Sequence, residues 1–190
     1  MKIGVLGLQG AVREHFQALN ACGVEAIEIL YRDQLDEVQG LIIPGGESTT
    51  VGKLLVRNQM LDSLIEKGNQ GFPIFGTCTG LILLAKEVEG SDQAQLGLMN
   101  IKVNRNAFGR QIASFEKDLL IEGLGETPFH AVFIRAPYIS QVGSRVKALA
   151  KVEEKIVLAQ EGKFLAAAFH PELTKDLRIH QYFLEMCEER

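Results

Sequence analysis

Two rhythms of apolar and polar positions divide the chain. In its first half, short apolar runs alternate with stretches of helical spacing. Residues 2–8 form an apolar run that ends in glycine-punctuated sequence and predict a buried strand. Val12, Phe16 and Leu19 follow at the interval of one helix face. Residues 25–30 predict a second strand and residues 40–44 (GLIIP) a third. A helical stretch is expected from about residue 50 to residue 67, with Val51, Leu54, Leu55, Leu61, Leu64 and Ile65 on its apolar stripe. Residues 72–76 (FPIFG) predict a fourth strand and residues 81–88 a helix. Such alternation implies an α/β fold: a mostly parallel sheet, covered by helices on both faces.

The second half is β-rich. Residues 101–104, 132–135, 146–152, 156–160 and 164–169 read as strands, with Glu161-Gly162-Lys163 as a hairpin turn between the last two. An amphipathic helix over residues 175–187 closes the pattern. Residues 105–127 show no clear period and are expected to be irregular; a loop that long inside a domain points to function. No repeat, low-complexity tract or linker interrupts the chain, so residues 1–190 are expected to form a single α/β domain with a β-rich C-terminal portion.

Composition narrows the chemistry. The 46% hydrophobic and 23% charged residues are average for a globular domain, and 190 residues bury enough core to fold without metal or disulfide. With a net charge of -4 and no basic run longer than two residues, no grip on nucleic acid is expected. No apolar stretch approaches the ~20 residues that span a bilayer, and the start lacks a signal-peptide core, so a cytoplasmic protein without membrane contact is expected. Cys22, Cys78 and Cys187 form no C-x-x-C pair, which argues against a disulfide framework or a zinc ribbon.

Candidate chemistry centres on Gly76-Thr77-Cys78-Thr79-Gly80, between an apolar strand and an apolar helical run. This is the context of a nucleophile elbow, with cysteine in the serine position. The glycines suit a tight turn, and a helix start favours the thiolate. Cys22 and Cys187 lack such flanks. A cysteine nucleophile needs a base and an orienter. His15 and His180 fall on predicted helices and His130 opens a strand, whereas His170 ends a strand and begins His170-Pro171-Glu172. Proline is expected to hold this segment extended, so that Glu172, two residues on, faces the imidazole. The predicted triad is Cys78, His170 and Glu172. Pro44-Gly45-Gly46-Glu47-Ser48 ends the third strand and offers an unobstructed amide; the Gly46 and Thr79 amides are the predicted oxyanion donors. The glycine spacing of residues 4–10 is not the dinucleotide fingerprint. Gly46 to Lys53 is one residue too long for a P-loop, with Leu54 where a magnesium-binding hydroxyl should stand. Gln9 sits in a turn on the same sheet edge.

LGLQGAVREH, PGGEST, GTCTG, RNAFGRQ with SFE, FIRAP and HPE, in this order, resemble one family over the whole chain. It is the glutaminase subunit family of pyridoxal 5'-phosphate synthases, triad-type (class I) glutamine amidotransferases. G-x-C-x-G with H-P-E specifies only the class; RNAFGRQ and LGLQGAVREH point to the vitamin B6 branch. The resemblance implies a flavodoxin-like three-layer sheet, hydrolysis of L-glutamine with Cys78 as nucleophile and His170 and Glu172 as its relay, and no cofactor or metal. It also implies glutamine-binding positions at Gly46, Glu47, Ser48, Arg105, Ile134 and Arg135. A forked guanidinium suits the substrate α-carboxylate, with the choice between Arg105 and Arg135 left open. The implied partner is a synthase subunit in a large hetero-oligomer that receives the ammonia; the N-terminal placement of Gln9, Arg13 and His15 is compatible with contact to it, and the sequence leaves their roles open. Thr79 departs from the small alanine expected beside the nucleophile. The rival readings are a glutaminase subunit of another pathway, a related cysteine hydrolase without ammonia transfer, and a catalytically dead scaffold.

Overall fold

The computed structural model describes residues 1–105 and 114–188. The first four strands of the parallel part of the sheet come in the order expected from the apolar runs: β1 (Lys2–Leu6), β2 (Glu25–Ile29), β3 (Leu41–Ile43) and β4 (Ile74–Thr77). Helices α1 (Val12–Ala21), α2 (Ser48–Arg57) and α3 (Leu61–Asn69) connect them, and α4 (Thr79–Leu84) follows β4 directly. The remaining strands are β5 (Ala85–Val88), β6 (Met99–Asn104), β7 (Ser114–Leu119), β8 (Phe129–Ile134), β9 (Tyr138–Val142), β10 (Lys147–Val152), β11 (Lys155–Glu161) and β12 (Phe164–Ala167). The last helix is α5 (Arg178–Glu188).

The main sheet runs β2-β1-β3-β4-β12-β11-β9-β6-β5, with β10 paired to β11. From β2 to β12 every pairing is parallel; β11 then runs antiparallel to β12, and β9 antiparallel to both β11 and β6. β7 and β8 form a separate antiparallel ribbon. β3 and β4 are buried at every position, as strands covered on both faces must be. The expected mostly parallel α/β sheet with a β-rich later part is what forms. No helix of the described residues is long and apolar enough to cross a membrane.

Four local expectations are corrected. The helix expected over residues 50–67 is two helices. Met60 N–H donates to Leu55 O and Gln59 N–H to Val56 O, closing α2 with a Schellman-type turn in which Gln59 (φ 55°) takes the left-handed position usually held by glycine. The fully buried Met60 anchors the break. The helix expected over 81–88 is the short α4 followed by β5, because residues 85–88 pair with β6. Part of the segment expected to be irregular is β7, whose central Glu116, Lys117 and Asp118 are solvent-exposed and give no apolar alternation. Instead it is held by its ladder to β8 and by stacked Phe115 and Phe133 rings, 4.4 Å apart. The largely exposed β9 escaped notice for the same reason.

Candidate active site

Parallel register sets the site. Ile43 pairs with Gly76 and Ala167 with Thr77, so the chain leaving β3, β4 and β12 emerges side by side at one carboxyl edge. β1, which pairs with β2 on one side and β3 on the other, ends at the same edge. Such an edge, where strand order reverses, is where open α/β sheets bind ligands.

Cys78 turns the corner from β4 to α4 with φ 48° and ψ -93°, a conformation costly for a residue with a side chain. Its amide is tied to Ala167 O at 2.8 Å. The flanking glycines are required sterically. A Cβ on Gly76 would lie 2.3 Å from the carbonyl carbon of Gly80, and one on Gly80 would lie 2.3 Å from Ile43 O. The half-buried Cys78 lies beside His170 next to Gly45, and the imidazole Nδ1 lies 2.7 Å from Glu172 Oε1. His170 and Glu172 are both buried.

Proline acts differently from the expectation here. Pro171 is the first residue of a 3-10 turn (Pro171–Leu173) capped by His170, so the turn, not an extended segment, carries Glu172 beneath the imidazole. The His170 amide donates to Val132 O on β8 at 2.8 Å and fixes the ring from behind. Burial pulls this imidazole toward its neutral form. Its hydrogen bonds to Cys78 and Glu172 as acceptors, with their charges, outweigh that and raise its pKa to about 10. A thiol beside a readily charged imidazole can act as a thiolate nucleophile with an acid at hand. Burial pushes the other two thiols up, Cys187 to about 12, and so away from the reactive form.

Every amide of Gly45-Gly46-Glu47 is held by a side chain from elsewhere. Gly45 N–H donates to Thr77 Oγ1 (3.1 Å), Gly46 N–H to Thr79 Oγ1 (3.1 Å) and Glu47 N–H to Gln9 Oε1 (3.0 Å). The Thr79 hydroxyl in turn donates to Gly46 O at 2.6 Å. A Cβ on Gly45 would strike His170 Cε1 at 2.4 Å, so this loop approaches the imidazole as only glycine permits. The Glu47 carboxylate caps α2, accepting from the Thr49 and Thr50 amides and hydroxyls, which lower its pKa to about 2. Ser48 Oγ and Arg105 Nη1 both donate to Gln93 Oε1, at 3.1 and 3.3 Å. Ile134 and Arg135 lie just beyond Val132, at the end of the β7–β8 ribbon; both are exposed, and Arg135 has φ 44°.

The structure thus brings Cys78, His170, Glu172, Gly46 and Thr79 together, joins Ser48 to Arg105, and assigns the Glu47 side chain to a helix cap. Sequence reasoning missed Thr77, which carries the loop amide of Gly45, and Gln93, which links two distant segments. Neither has a local signal. His15, whose role the sequence left open, is fully buried and lies 3.5 Å from Glu172 Oε2.

Residues 5–189 match the SNO glutamine amidotransferase family. The chain belongs to that family. Among its relatives, a protein of Pelotomaculum thermopropionicum called pyridoxal 5'-phosphate synthase subunit PdxT is 60% identical over 187 residues, covering 98% of this chain and 95% of the relative. The protein of the same name from Desulforamulus reducens is 59% identical over 188 residues, covering 99% and 100%. A crystal structure of a glutamine amidotransferase superposes with a TM-score of 0.94 at 48% identity, covering 98% of this chain and 99% of that one.

Proposed function

We propose that residues 1–190 act as one glutaminase domain, which hydrolyses L-glutamine to glutamate and ammonia and delivers the ammonia to a synthase partner forming pyridoxal 5'-phosphate. The observation that carries this reading is the line Cys78–His170–Glu172 at the carboxyl edge of the sheet. It is supported by membership of an amidotransferase family and by relatives named as subunits of that synthase.

In the mechanism, the Cys78 thiolate attacks the side-chain carbonyl carbon of glutamine. The amides of Gly46 and Thr79 are the donors for the oxyanion that forms. Protonated His170 gives its proton to the amide nitrogen, ammonia leaves, and a thioester remains on Cys78. His170 then takes a proton from water, the hydroxide attacks the thioester, and glutamate departs as the thiol is restored. Glu172 keeps His170 in the orientation and charge state that both steps need. Gly46, Glu47, Ser48, Arg105, Ile134 and Arg135 form the glutamine-binding set. Side chains and water complete this chemistry without metal or cofactor. The partner is a synthase subunit in a large hetero-oligomer, and the setting is the cytoplasm.

The test is ammonia release from glutamine by this chain mixed with the synthase subunit, together with an assay for the coenzyme product. The wild-type mixture makes both, and Cys78→Ala makes neither. An electrophilic glutamine analogue labels Cys78, located by mass mapping. Ammonia release by Cys78→Ala, or labelling confined to Cys22 or Cys187, sinks the reading; ammonia without the coenzyme assigns another pathway.

A further inference from the structure

Beyond Glu172 lies a second set of buried polar groups that the mechanism does not use. His15 on α1 and His180 on α5 are both fully buried, and their rings meet at 3.1 Å through His15 Nδ1 and His180 Nε2. His15 Nε2 lies 3.3 Å from Thr77 Oγ1 and 3.5 Å from Glu172 Oε2. Phe75 packs edge-on against both rings. Burial holds both imidazoles neutral, with His180 lowered to about 4 and His15 pushed well below its ordinary value, helped by His180 and His170. Each ring therefore has one N–H and one lone pair.

Two proton arrangements compete. In one, His180 Nε2–H donates to His15 Nδ1, and His15 Nε2–H points at Glu172 Oε2 and Thr77 Oγ1. In the other, His15 Nδ1–H donates to His180 Nε2, a lone pair on His15 faces the carboxylate, and His180 Nδ1–H has no acceptor. Glu172 Oε2 and His180 Nδ1 have no hydrogen-bond partner among the described residues. The second arrangement buries an orphan N–H on His180, leaves Glu172 Oε2 without a donor and sets a lone pair against that anion; in the first the Thr77 hydroxyl, which already accepts from the Gly45 N–H, gives up the ring as its acceptor, but the carboxylate gains a donor. A lone pair facing a buried, undonated carboxylate is the costlier defect. The first arrangement wins.

At 3.5 Å the contact to Glu172 is longer than an ordinary hydrogen bond, but both side chains are 0% exposed, so nothing screens it. We propose that His15 is a positioning residue for the triad: its Nε2–H holds Glu172 Oε2, which keeps Oε1 on His170, while His180 fixes His15 in that tautomer. The proposal rests on the glutaminase reading for its consequence in turnover, and on geometry alone for its consequence at the thiol. The titratable groups around Glu172 are His170 on its own turn, His15 from α1 and, one step further, Cys78 after β4 and His180 from α5. β8 meets the turn through the Val132 carbonyl.

His15→Asn and His15→Gln separate positioning from packing. The Asn amide overlays Nδ1 and keeps the link to His180; the Gln amide reaches the Nε2 position and keeps the donor toward Glu172. In the complex with its synthase, His15→Asn is expected to lower kcat for glutamine by about tenfold with KM little changed, since only orientation at the reacting centre is lost. A carboxylate deprived of a donor binds its proton more tightly, so the acid limb of kcat/KM moves to higher pH. The same shift appears in the pH profile of Cys78 alkylation by iodoacetamide, read by mass mapping and independent of glutamine. His15→Gln recovers most of the rate and the wild-type profile. Nitrogen NMR of the wild-type chain shows His15 as the neutral Nε2–H tautomer. Equal profiles for Asn, Gln and wild type, or an Nδ1–H tautomer, overturn the proposal. A wild-type complex that releases no ammonia overturns the glutaminase reading instead, and the alkylation and NMR results still decide the role of His15.

Discussion

Thr79 grips Gly46 at both ends of one residue: its hydroxyl accepts from the Gly46 N–H and donates to the Gly46 carbonyl. An amide committed to a hydroxyl is not free to meet a developing oxyanion, so two acceptors compete for one donor. Thr79→Ala removes the competitor. One oxyanion donor is worth roughly 100-fold or more in turnover. Even partial release of Gly46 is therefore expected to raise glutamine hydrolysis by the isolated chain several-fold, measured as ammonia without the synthase. Thr79→Ser retains the latch and should not show the gain; an unchanged rate in Thr79→Ala would show that this latch does not limit the free chain. The elbow itself was legible in sequence because its glycines carry a spacing rule: a Cβ on Gly76 would collide with Gly80 four residues on, and one on Gly80 with the adjoining strand at Ile43. The grip of Thr79 was not, since its partner lies 33 positions away and a threonine there has no spacing rule.

Element ends obey the same division. Glu47 is a glutamine-binding position by resemblance, yet its side chain caps α2. Glu47→Ala is expected to lower the stability of the free chain by about 1 kcal/mol, the ordinary worth of an N-cap, while Glu47→Asp keeps most of it. Denaturant titration reads this directly. Because folding lowers the carboxyl pKa, the cap's contribution is present above the ordinary glutamate range and fades as pH falls through about 2. A full loss in Glu47→Asp as well would point to a role other than capping. Strands β1, β3 and β4 were visible as apolar runs because parallel strands bury both faces. The break after α2 was invisible because Gln59 does there what glycine usually announces, and β7 was invisible because its charged face gives no period. The approach of Glu172 to His170 was expected from alternation and arose instead from a 3-10 turn. Residue types foretold the contact; backbone geometry supplied another route to it.

At the scale of the molecule, α1, β4, the turn after β12 and α5 meet in one buried polar line, and its titration couples the site to folding. Unfolding returns His15 and His180 to ordinary imidazoles with a pKa near 6.5, whereas in the fold both are held lower by burial. Below about pH 6.5 the unfolded chain therefore binds protons that the folded chain refuses, and stability falls as pH drops through about 4. His170 works in the opposite sense. Its raised pKa means the folded chain holds a proton that the unfolded one releases, so that contribution, complete below pH 6.5, is lost as pH climbs toward 10. The two effects together place the stability maximum near neutrality. Thermal midpoints measured across pH should fall on both sides, and His180→Gln, which retains a hydrogen-bonding group without a titrating one, should flatten the acid side and leave the alkaline side in place. An acid limb as steep in His180→Gln as in the parent would assign the loss to His15 and the carboxylates, and would remove His180 from the groups whose titration couples the site to folding.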